Sequence, residues 1–137
     1  MAERRRLLID SHRLQSADAQ RRFQLEEHES RYLRKVLRLK QGSLVDVIDG
    51  CGHLWMARLL DGQHLELCTD LTMPSQCVVS PLPKVGLAIA LIRRGMDDVM
   101  RMACELGVDR LQPIDCQRCV PQAEHRPERW RSIVQEA

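Results

Sequence analysis

The sequence is poor in aromatic residues, and this scarcity argues against a common way of binding single-stranded nucleic acid. Phe, Trp and Tyr make up 3% of the 137 residues, and the whole supply is Phe23, Tyr32, Trp55 and Trp130. Proteins that grip single strands usually stack successive bases on several aromatic side chains. No such platform is expected here, and the core must be built from the Leu, Val, Ile and Met that dominate a hydrophobic content of 44%.

Long hydrophobic runs are also missing. No apolar stretch approaches the roughly 20 residues that cross a bilayer, and the charged start Met1-Ala-Glu-Arg-Arg-Arg is not followed by the apolar run of a secretory signal. We therefore expect a soluble, cytoplasmic protein with no membrane partner. Its six cysteines are expected to be reduced thiols.

Specific catalytic and metal-binding patterns are absent as well. The chain has no phosphate-binding Gly-rich loop and no dinucleotide fingerprint, and its five histidines show no pairing with a nucleophile. Cys116 and Cys119 have the C-x-x-C spacing of zinc and redox sites, but only His125 is near enough to act as a further ligand. Two ordinary thiols are the default interpretation, and we expect no bound metal.

The basic residues are present in quantity but unevenly distributed. Net charge is only +2, yet residues 1–40 carry eleven Lys and Arg against six acidic residues, and residues 41–83 carry one against five. Eighteen of the twenty-one basic residues are Arg, which suits bidentate phosphate contacts. A GC-rich genome would produce the same preference.

Residues 27–38 concentrate this charge on one side of a predicted helix. At about 100° per residue, one side is apolar and holds Tyr32, Leu33, Val36 and Leu37. The opposite side holds four cations, namely Arg31, Arg34, Lys35 and Arg38. Such a row suits the phosphates of RNA, and the alternative is an ordinary solvated face. Gly42 stands where a left-handed helix cap is expected.

Hydrophobic periodicity divides the chain into two domains. Residues 1–72 are predicted to form a small antiparallel sheet that curls into a barrel. The evidence is two short apolar runs at 6–9 and 22–25, followed by alternating strands at 44–48, 53–60 and 64–68 that are joined by Asp-Gly turns. Residues 73–84 hold three prolines and no periodicity, which is typical of a linker. The basic helix is expected to pack on one end of the barrel.

Residues 85–137 follow a different pattern. A continuous apolar run at 85–92 predicts a strand buried on both faces, a helix is predicted over 96–106, a second strand over 108–114 and a last helix from Pro127. This is too little to cover both faces of a parallel sheet, so an incomplete α/β domain is expected. Arg93, Arg94 and Arg118 follow the carboxyl ends of its two strands, the edge where such sheets bind ligands; solvated loop arginines are the alternative.

Three stretches, in collinear order, resemble the ribosomal RNA small subunit methyltransferase E family. They are residues 28–42 continuing into Val47-Ile-Asp-Gly50, then Glu105-Leu-Gly-Val108 with Pro113 and residues 117–120, and finally residues 129–137. The resemblance implies an α+β fold followed by an α/β fold: a PUA-like RNA-binding barrel and the first part of a SPOUT domain. In that family the SPOUT domain ties a trefoil knot around S-adenosylmethionine, the proteins are homodimers, and N3 of a uridine in 16S rRNA is methylated.

The resemblance also assigns provisional roles. It implies that Arg31, Arg34, Lys35 and Arg38 hold phosphates of the small-subunit rRNA, and that Arg93, Arg94 and Arg118 approach the target nucleotide. The family's donor-binding segments lie beyond residue 137, so no cofactor-binding residue is expected in this chain, which alone is expected to be inactive. The catalytic residue stays unassigned. The alternative function is a non-catalytic RNA-binding or ribosome-assembly module.

Overall fold

A computed structural model describes residues 4–118 and 125–137 of the chain. The chain divides into two compact units, Met1–Val79 and Ser80–Ala137. The described part of the first unit has six strands, two short α-helices and one π-helical turn. In chain order they are β1 (Arg6–Leu8), α1 (Ser11–Gln15), β2 (Arg22–Gln24), α2 (Glu27–Arg31), the π turn (Tyr32–Val36), β3 (Leu44–Ile48), β4 (His53–Leu59), β5 (His64–Leu67) and β6 (Gln76–Cys77).

Strand β4 is the centre of the first unit because it pairs along both of its edges. One edge runs antiparallel to β3 along most of its length, from Leu54 opposite Ile48 to Arg58 opposite Leu44. The other edge is shared, with β5 pairing beside Leu59 and β6 pairing beside His53. Strand β1 adds to β3 in parallel and β2 adds to β5 antiparallel, giving the order β1-β3-β4-β5-β2.

Alternation along these strands produces the core. Side chains of a strand point alternately to the two faces of a sheet, and Val45, Val47, Ala57 and Leu65 are fully buried on the inner face. Leu14 of α1 and Leu33 of the π turn close over the same cluster. The predicted strands at 44–48, 53–60 and 64–68 are therefore confirmed as an antiparallel meander, to within one residue at each end.

The rest of this unit differs from the predicted antiparallel barrel. The sheet is mixed, since β1 runs parallel to β3, and in the described residues no ladder joins β1 to β2. Helix α1 was not predicted, because five residues are too few to show a helical period. Strand β6 lies inside the predicted linker 73–84, so the first compact unit continues to Val79 rather than ending at residue 72.

The basic helix is shorter than predicted. Its α-helical part ends at Arg31 and the π turn ends at Val36, while Arg38 has a left-handed φ of 54°. Gly42 is left-handed, with φ 85°, but it lies in the turn that enters β3 and does not cap the helix. The predicted apolar stripe is only partly correct, since Leu33 is buried and Leu37 half-buried whereas Tyr32 and Val36 are exposed.

The second unit contains one strand–helix–strand unit and a final helix. Its elements are β7 (Gly86–Ala90), α3 (Met96–Glu105), β8 (Arg110–Ile114) and α4 (Pro127–Glu136). The two strands are parallel, with Ala90 opposite Ile114, as predicted. Helix α3 is followed by the left-handed Gly107, and α4 begins with a proline in its first turn, where a missing N–H costs nothing.

The apolar run at 85–92 predicted a strand buried on both faces, and the incomplete domain was expected to supply too little to cover both; in the described residues one face is covered. Ile89 packs with Leu111 against a cluster formed by Met96, Met100 and Trp130. The alternate positions of both strands are exposed, because the helices supply apolar partners to one face only. None of the helices in the described residues is long and apolar enough to cross a membrane.

The close approach of β6 to β4 gives the first prediction. A Cβ atom on Gly52, whose φ is 101°, would lie 2.2 Å from the carbonyl oxygen of Val78, whereas one on Gly42 would meet nothing within 4 Å. Gly42→Ala is expected to cost about 1 kcal/mol through its left-handed conformation alone. Gly52→Ala is expected to cost more and to abolish the hydrogen-exchange protection of the Val78 N–H, which donates to the Gly52 oxygen. Equal losses in both variants, with that protection kept, would contradict this account.

Candidate nucleic-acid interface

Four cations lie exposed around α2 and the π turn, and we call Arg31, Arg34, Lys35 and Arg38 the basic surface. All four are exposed. None forms an ion pair with a carboxylate in the residues that the structure describes, whereas Arg4, Arg13 and Arg22 of the same unit do. The cations of the basic surface are therefore available to an external anion without first breaking an internal pair.

A buried ion pair holds α2 beneath this surface. The Arg13 guanidinium donates to both carboxylate oxygens of Glu29, at 2.6 and 2.9 Å, and Glu29 also accepts from the Glu26 N–H at 2.7 Å. Burial raises the pKa of Glu29, but these hydrogen bonds outweigh it and hold the pKa below its usual range. Glu29 is therefore a charged anchor facing Arg13, which leaves the solvent side of the helix to the cations.

The π turn explains why helical spacing mispredicted the exposed residues. The Leu37 N–H donates to the Tyr32 oxygen and the Leu39 N–H to the Leu33 oxygen, both at 3.0 Å. The first bond spans five residues, so each residue of the π turn rotates less than 100° about the axis and the 3.6 period is lost. The second bond closes the end of the helix around the left-handed Arg38. Single π turns within helices are frequent at functional sites. Here the turn carries Arg34 and Lys35.

The turn after β4 positions Arg34. Ser30 donates its hydroxyl to the Gly62 carbonyl oxygen, which fixes the helix against this turn. The Arg34 side chain lies over Gly62 so closely that a Cβ on Gly62 would be 2.5 Å from its Nη1. Gly62 therefore leaves the space in which the Arg34 guanidinium rests.

The second unit contains a separate cationic cleft of about 660 Å³. The Leu91 N–H donates to the Ile114 oxygen at 2.9 Å, so the chain leaves both strands at one edge of the sheet. Arg93 and Arg94 follow that edge and line the cleft together with Arg126. Arg118 is exposed beyond β8 but does not line the cleft. The structure thus brings Arg93 and Arg94 together, and it does not place Arg118 among them.

Asp97 at the start of α3 also lines this cleft, but its carboxylate is bound by side chains of α4. It accepts from Arg129 Nε at 2.5 Å and from Trp130 Nε1 at 3.1 Å. The Arg129 hydrogen bond, chief among several causes, holds the pKa of Asp97 below its usual range. Arg93 and Arg94 have no side-chain partner in the described part of the chain, so the cleft offers cations to a ligand.

The possible thiol site cannot be placed as a pair, because Cys119 lies outside the described residues, as do Val120 and Pro121. Cys116 is exposed. Within residues 4–118 and 125–137, no three His, Cys, Asp or Glu side chains are arranged to hold a metal ion.

Comparisons with known proteins agree with this division. Residues 25–67 match the model of the RNA methyltransferase PUA domain, and residues 79–137 match the model of the RNA methyltransferase domain. Ribosomal RNA small subunit methyltransferase E of Synechocystis sp. is 39% identical over 108 residues, which are 77% of this chain and 35% of that protein. The chain belongs to the ribosomal RNA small subunit methyltransferase E family.

Solved structures of relatives support the fold of both units. The family's Neisseria gonorrhoeae enzyme, solved bound to S-adenosyl methionine, is 26% identical with a TM-score of 0.71, and the match covers 96% of this chain and 54% of that one. A Legionella pneumophila methyltransferase has a TM-score of 0.73 at 21% identity, covering 96% of this chain and 55% of that one. The chain therefore spans about half the length of these structures and about a third of its curated relative.

One cluster was missed by sequence reasoning. Asp49 Oδ2 lies 2.8 Å from His53 Nδ1 at the start of β4, whereas the sequence analysis considered the histidines only as partners of a nucleophile. The signal was present as an aspartate and a histidine four residues apart, flanking a turn rich in glycine. Tyr32 was likewise assigned to the buried side and is 38% exposed next to the basic surface.

The anchor beneath α2 gives a prediction about pH. Arg13→Ala removes both hydrogen bonds to buried Glu29, and at neutral pH it is expected to lower the free energy of unfolding by about 1.5 to 3 kcal/mol. Because Arg13 lowers the pKa of Glu29, its contribution is lost as pH falls through that lowered value, and the difference between variant and wild type should shrink below about pH 4. Urea unfolding at several pH values measures the loss of stability and its pH dependence.

Arg22→Ala is the control, since the 4.0 Å contact of Arg22 with Glu66 is half exposed and is expected to contribute less than about 1 kcal/mol. A loss of stability in Arg13→Ala that does not depend on pH would contradict the argument.

Proposed function

We propose that this chain is the RNA-binding part of an S-adenosylmethionine-dependent methyltransferase that acts on N3 of a uridine in 16S rRNA. The observation that carries the proposal is the basic surface. Its four exposed cations form no ion pair with the described residues, and they lie in the segment that matches an RNA methyltransferase PUA domain. Arg31, Arg34 and Arg38 suit bidentate contact with phosphate, and Lys35 adds a point charge. Binding releases the counterions that the RNA phosphates hold.

The second unit is proposed to meet the same RNA near the target nucleotide. Arg93 and Arg94 reach into the cleft without internal partners, and a phosphate beside the target base is the ligand that this charge favours. Arg118 is proposed to contact RNA at the same sheet edge but outside the cleft. These residues position RNA, and none is assigned a proton transfer.

We propose that the methyl donor is held by residues outside this chain. S-adenosylmethionine carries a positively charged sulfonium, and the cleft is lined by Arg93, Arg94 and Arg126 against the two carboxylates of Asp97 and Asp98. Bound S-adenosyl methionine in the Neisseria gonorrhoeae relative supports use of this donor by the family. We propose that residues 1–137 alone bind RNA and transfer no methyl group. The homodimer and the cytoplasmic location implied by the resemblance stay predictions.

Methyl transfer separates the proposal from a non-catalytic module. A polypeptide that joins residues 1–137 to the remaining length of a family member is expected to form 3-methyluridine in unmethylated small subunits, measured by mass spectrometry of digested 16S rRNA. Arg93→Ala with Arg94→Ala is expected to reduce that product about tenfold or more, since misplaced substrate lowers the rate. Tight RNA binding with no methylated uridine from the joined polypeptide would favour the alternative module.

The basic surface predicts a specific salt dependence of RNA binding. The logarithm of affinity for a 16S rRNA fragment should fall linearly with the logarithm of KCl concentration, and Arg34→Ala should reduce that slope by about 0.7 to 1, the value of one phosphate contact. Gly62→Ala displaces the Arg34 guanidinium but keeps its charge, so it should weaken binding with a smaller change in slope. Fluorescence anisotropy measures both effects.

Arg131→Ala is the matched control for this measurement. Arg131 is exposed but paired with Glu128 at 2.7 Å, so its removal should leave the slope unchanged. If Arg34→Ala and Arg131→Ala change the slope equally, the assignment of the basic surface is wrong.

A further inference from the structure

A cavity of about 420 Å³ lies in the first unit beside the first residue of β4. Gly62 and the basic surface lie beyond the other end of this seven-residue strand, so about 20 Å of extended chain separates the two features. The polar side chains that line the cavity come from α1, the β3–β4 turn, β4, the segment after β5, and β6. They are Ser11, Gln15, Asp49, His53, Thr72 and Cys77.

The histidine of this cavity is held in one orientation. Asp49 accepts from the backbone N–H groups of Cys51 and His53, at 2.8 and 3.1 Å, and lies 2.8 Å from His53 Nδ1. Burial raises the pKa of Asp49, but these hydrogen bonds outweigh it and keep the carboxylate ionised at neutral pH. An ionised carboxylate places the ring proton on Nδ1. The tautomer with its proton on Nδ1 leaves Nε2 as a hydrogen-bond acceptor.

Part of the cavity wall is apolar and fixed. Trp55 is 4% exposed and lies 5.7 Å from the His53 ring, measured between ring centroids. Its Nε1 donates to the Leu71 oxygen at 3.1 Å, so the indole has no donor left and offers only apolar surface. Leu14, Leu71 and Pro74 complete the apolar part of the lining. A ligand that combines apolar faces with a polar, hydrogen-bonding edge fits this mixed lining.

We propose that this cavity binds one unpaired nucleobase of the RNA, with a base N–H donating to His53 Nε2. The inference rests on the proposed function, which brings RNA to the same unit. A nucleobase is flat, has apolar faces and carries N–H donors on its edge, which matches the acceptor and the apolar walls. A phosphate is disfavoured because it would meet the Asp49 carboxylate and an acceptor nitrogen. A single hydrogen bond and one enclosed base need no aromatic platform.

Cys77 reports on the occupancy of the cavity. It is exposed and lines the cavity opposite His53, while Cys51 is exposed in the same unit and does not line it. Alkylation by iodoacetamide, followed peptide by peptide with mass spectrometry, should be slowed at Cys77 by a single-stranded RNA of about 12 nucleotides. Alkylation of Cys51 should change less. The four nucleosides are also tested separately at millimolar concentration. At least one of them should protect Cys77 of the wild-type protein from alkylation.

Substitution of His53 then identifies the acceptor. His53→Phe keeps a ring but removes Nε2, and it is expected to weaken RNA binding about three- to tenfold, the size of one lost hydrogen bond, with the salt slope unchanged. His53→Gln supplies an acceptor oxygen and should restore most of the affinity. Hydrogen-exchange protection of the Val78 N–H shows that β6 stays in place in both variants.

The outcomes separate this inference from the proposed function. If RNA binds with the expected salt slope but neither RNA nor any nucleoside protects Cys77, the nucleobase site is wrong and the basic surface stands. If a nucleoside protects Cys77 while RNA does not bind, the cavity assignment stands and the proposed function fails. Equal affinity of His53→Phe and wild type for RNA would overturn the role of Nε2.

Discussion

The first unit depends on the need of β4 to satisfy its backbone hydrogen-bonding groups on both edges. A buried strand cannot leave its N–H and C=O groups unpaired without a cost comparable to a lost hydrogen bond. One edge is covered by β3, but the other is covered by two different segments, β5 near Leu59 and β6 near His53. Because β5 and β6 are short and separate, each end of β4 carries its own turn and its own functional residues. The contact of Arg34 with Gly62 lies at one end of β4, and the cavity beside His53 lies at the other.

The distribution of ion pairs within this unit is as informative as the number of cations. Surface pairs contribute little to stability, so pairing Arg31 or Arg34 with a neighbouring carboxylate would neutralise a binding group for almost no gain. Within α2, Glu29 turns inward to Arg13 and is 3% exposed, whereas Glu27 is exposed. One carboxylate of the helix is thereby fixed in the protein, and the cations that follow it are left to solvent. This arrangement, more than the net charge of +2, is the ground for proposing the basic surface as an RNA-binding site.

Periodicity predicted the features that depend on many residues and missed those that depend on a few. The meander, the parallel strand–helix–strand unit and α4 each extend over enough residues for a period of 2 or 3.6 to show. Strand β6 has two residues and is recognisable only through its partner β4. The π turn arises from hydrogen bonds of longer span, which leave no trace in apolar spacing, and so Tyr32 and Val36 were assigned to the wrong side. The residues of the basic surface were still identified, because exposed cations remain on the outside when a helix is locally unwound.

The charge of the cleft in the second unit decides which reactant this chain can hold. Two unit charges 4 Å apart interact by about 4 kcal/mol at the effective dielectric near a protein surface, so cations in a cleft strongly discriminate between ligands of opposite sign. Asp97 is already bound by Arg129 at 2.5 Å, while Asp98 adds one exposed carboxylate to the lining. Arg93, Arg94 and Arg126 outnumber that carboxylate, so an RNA phosphate is favoured over a sulfonium beside Arg93 and Arg94. This difference is the reason for proposing that the described residues hold the RNA and that the donor is held by other residues.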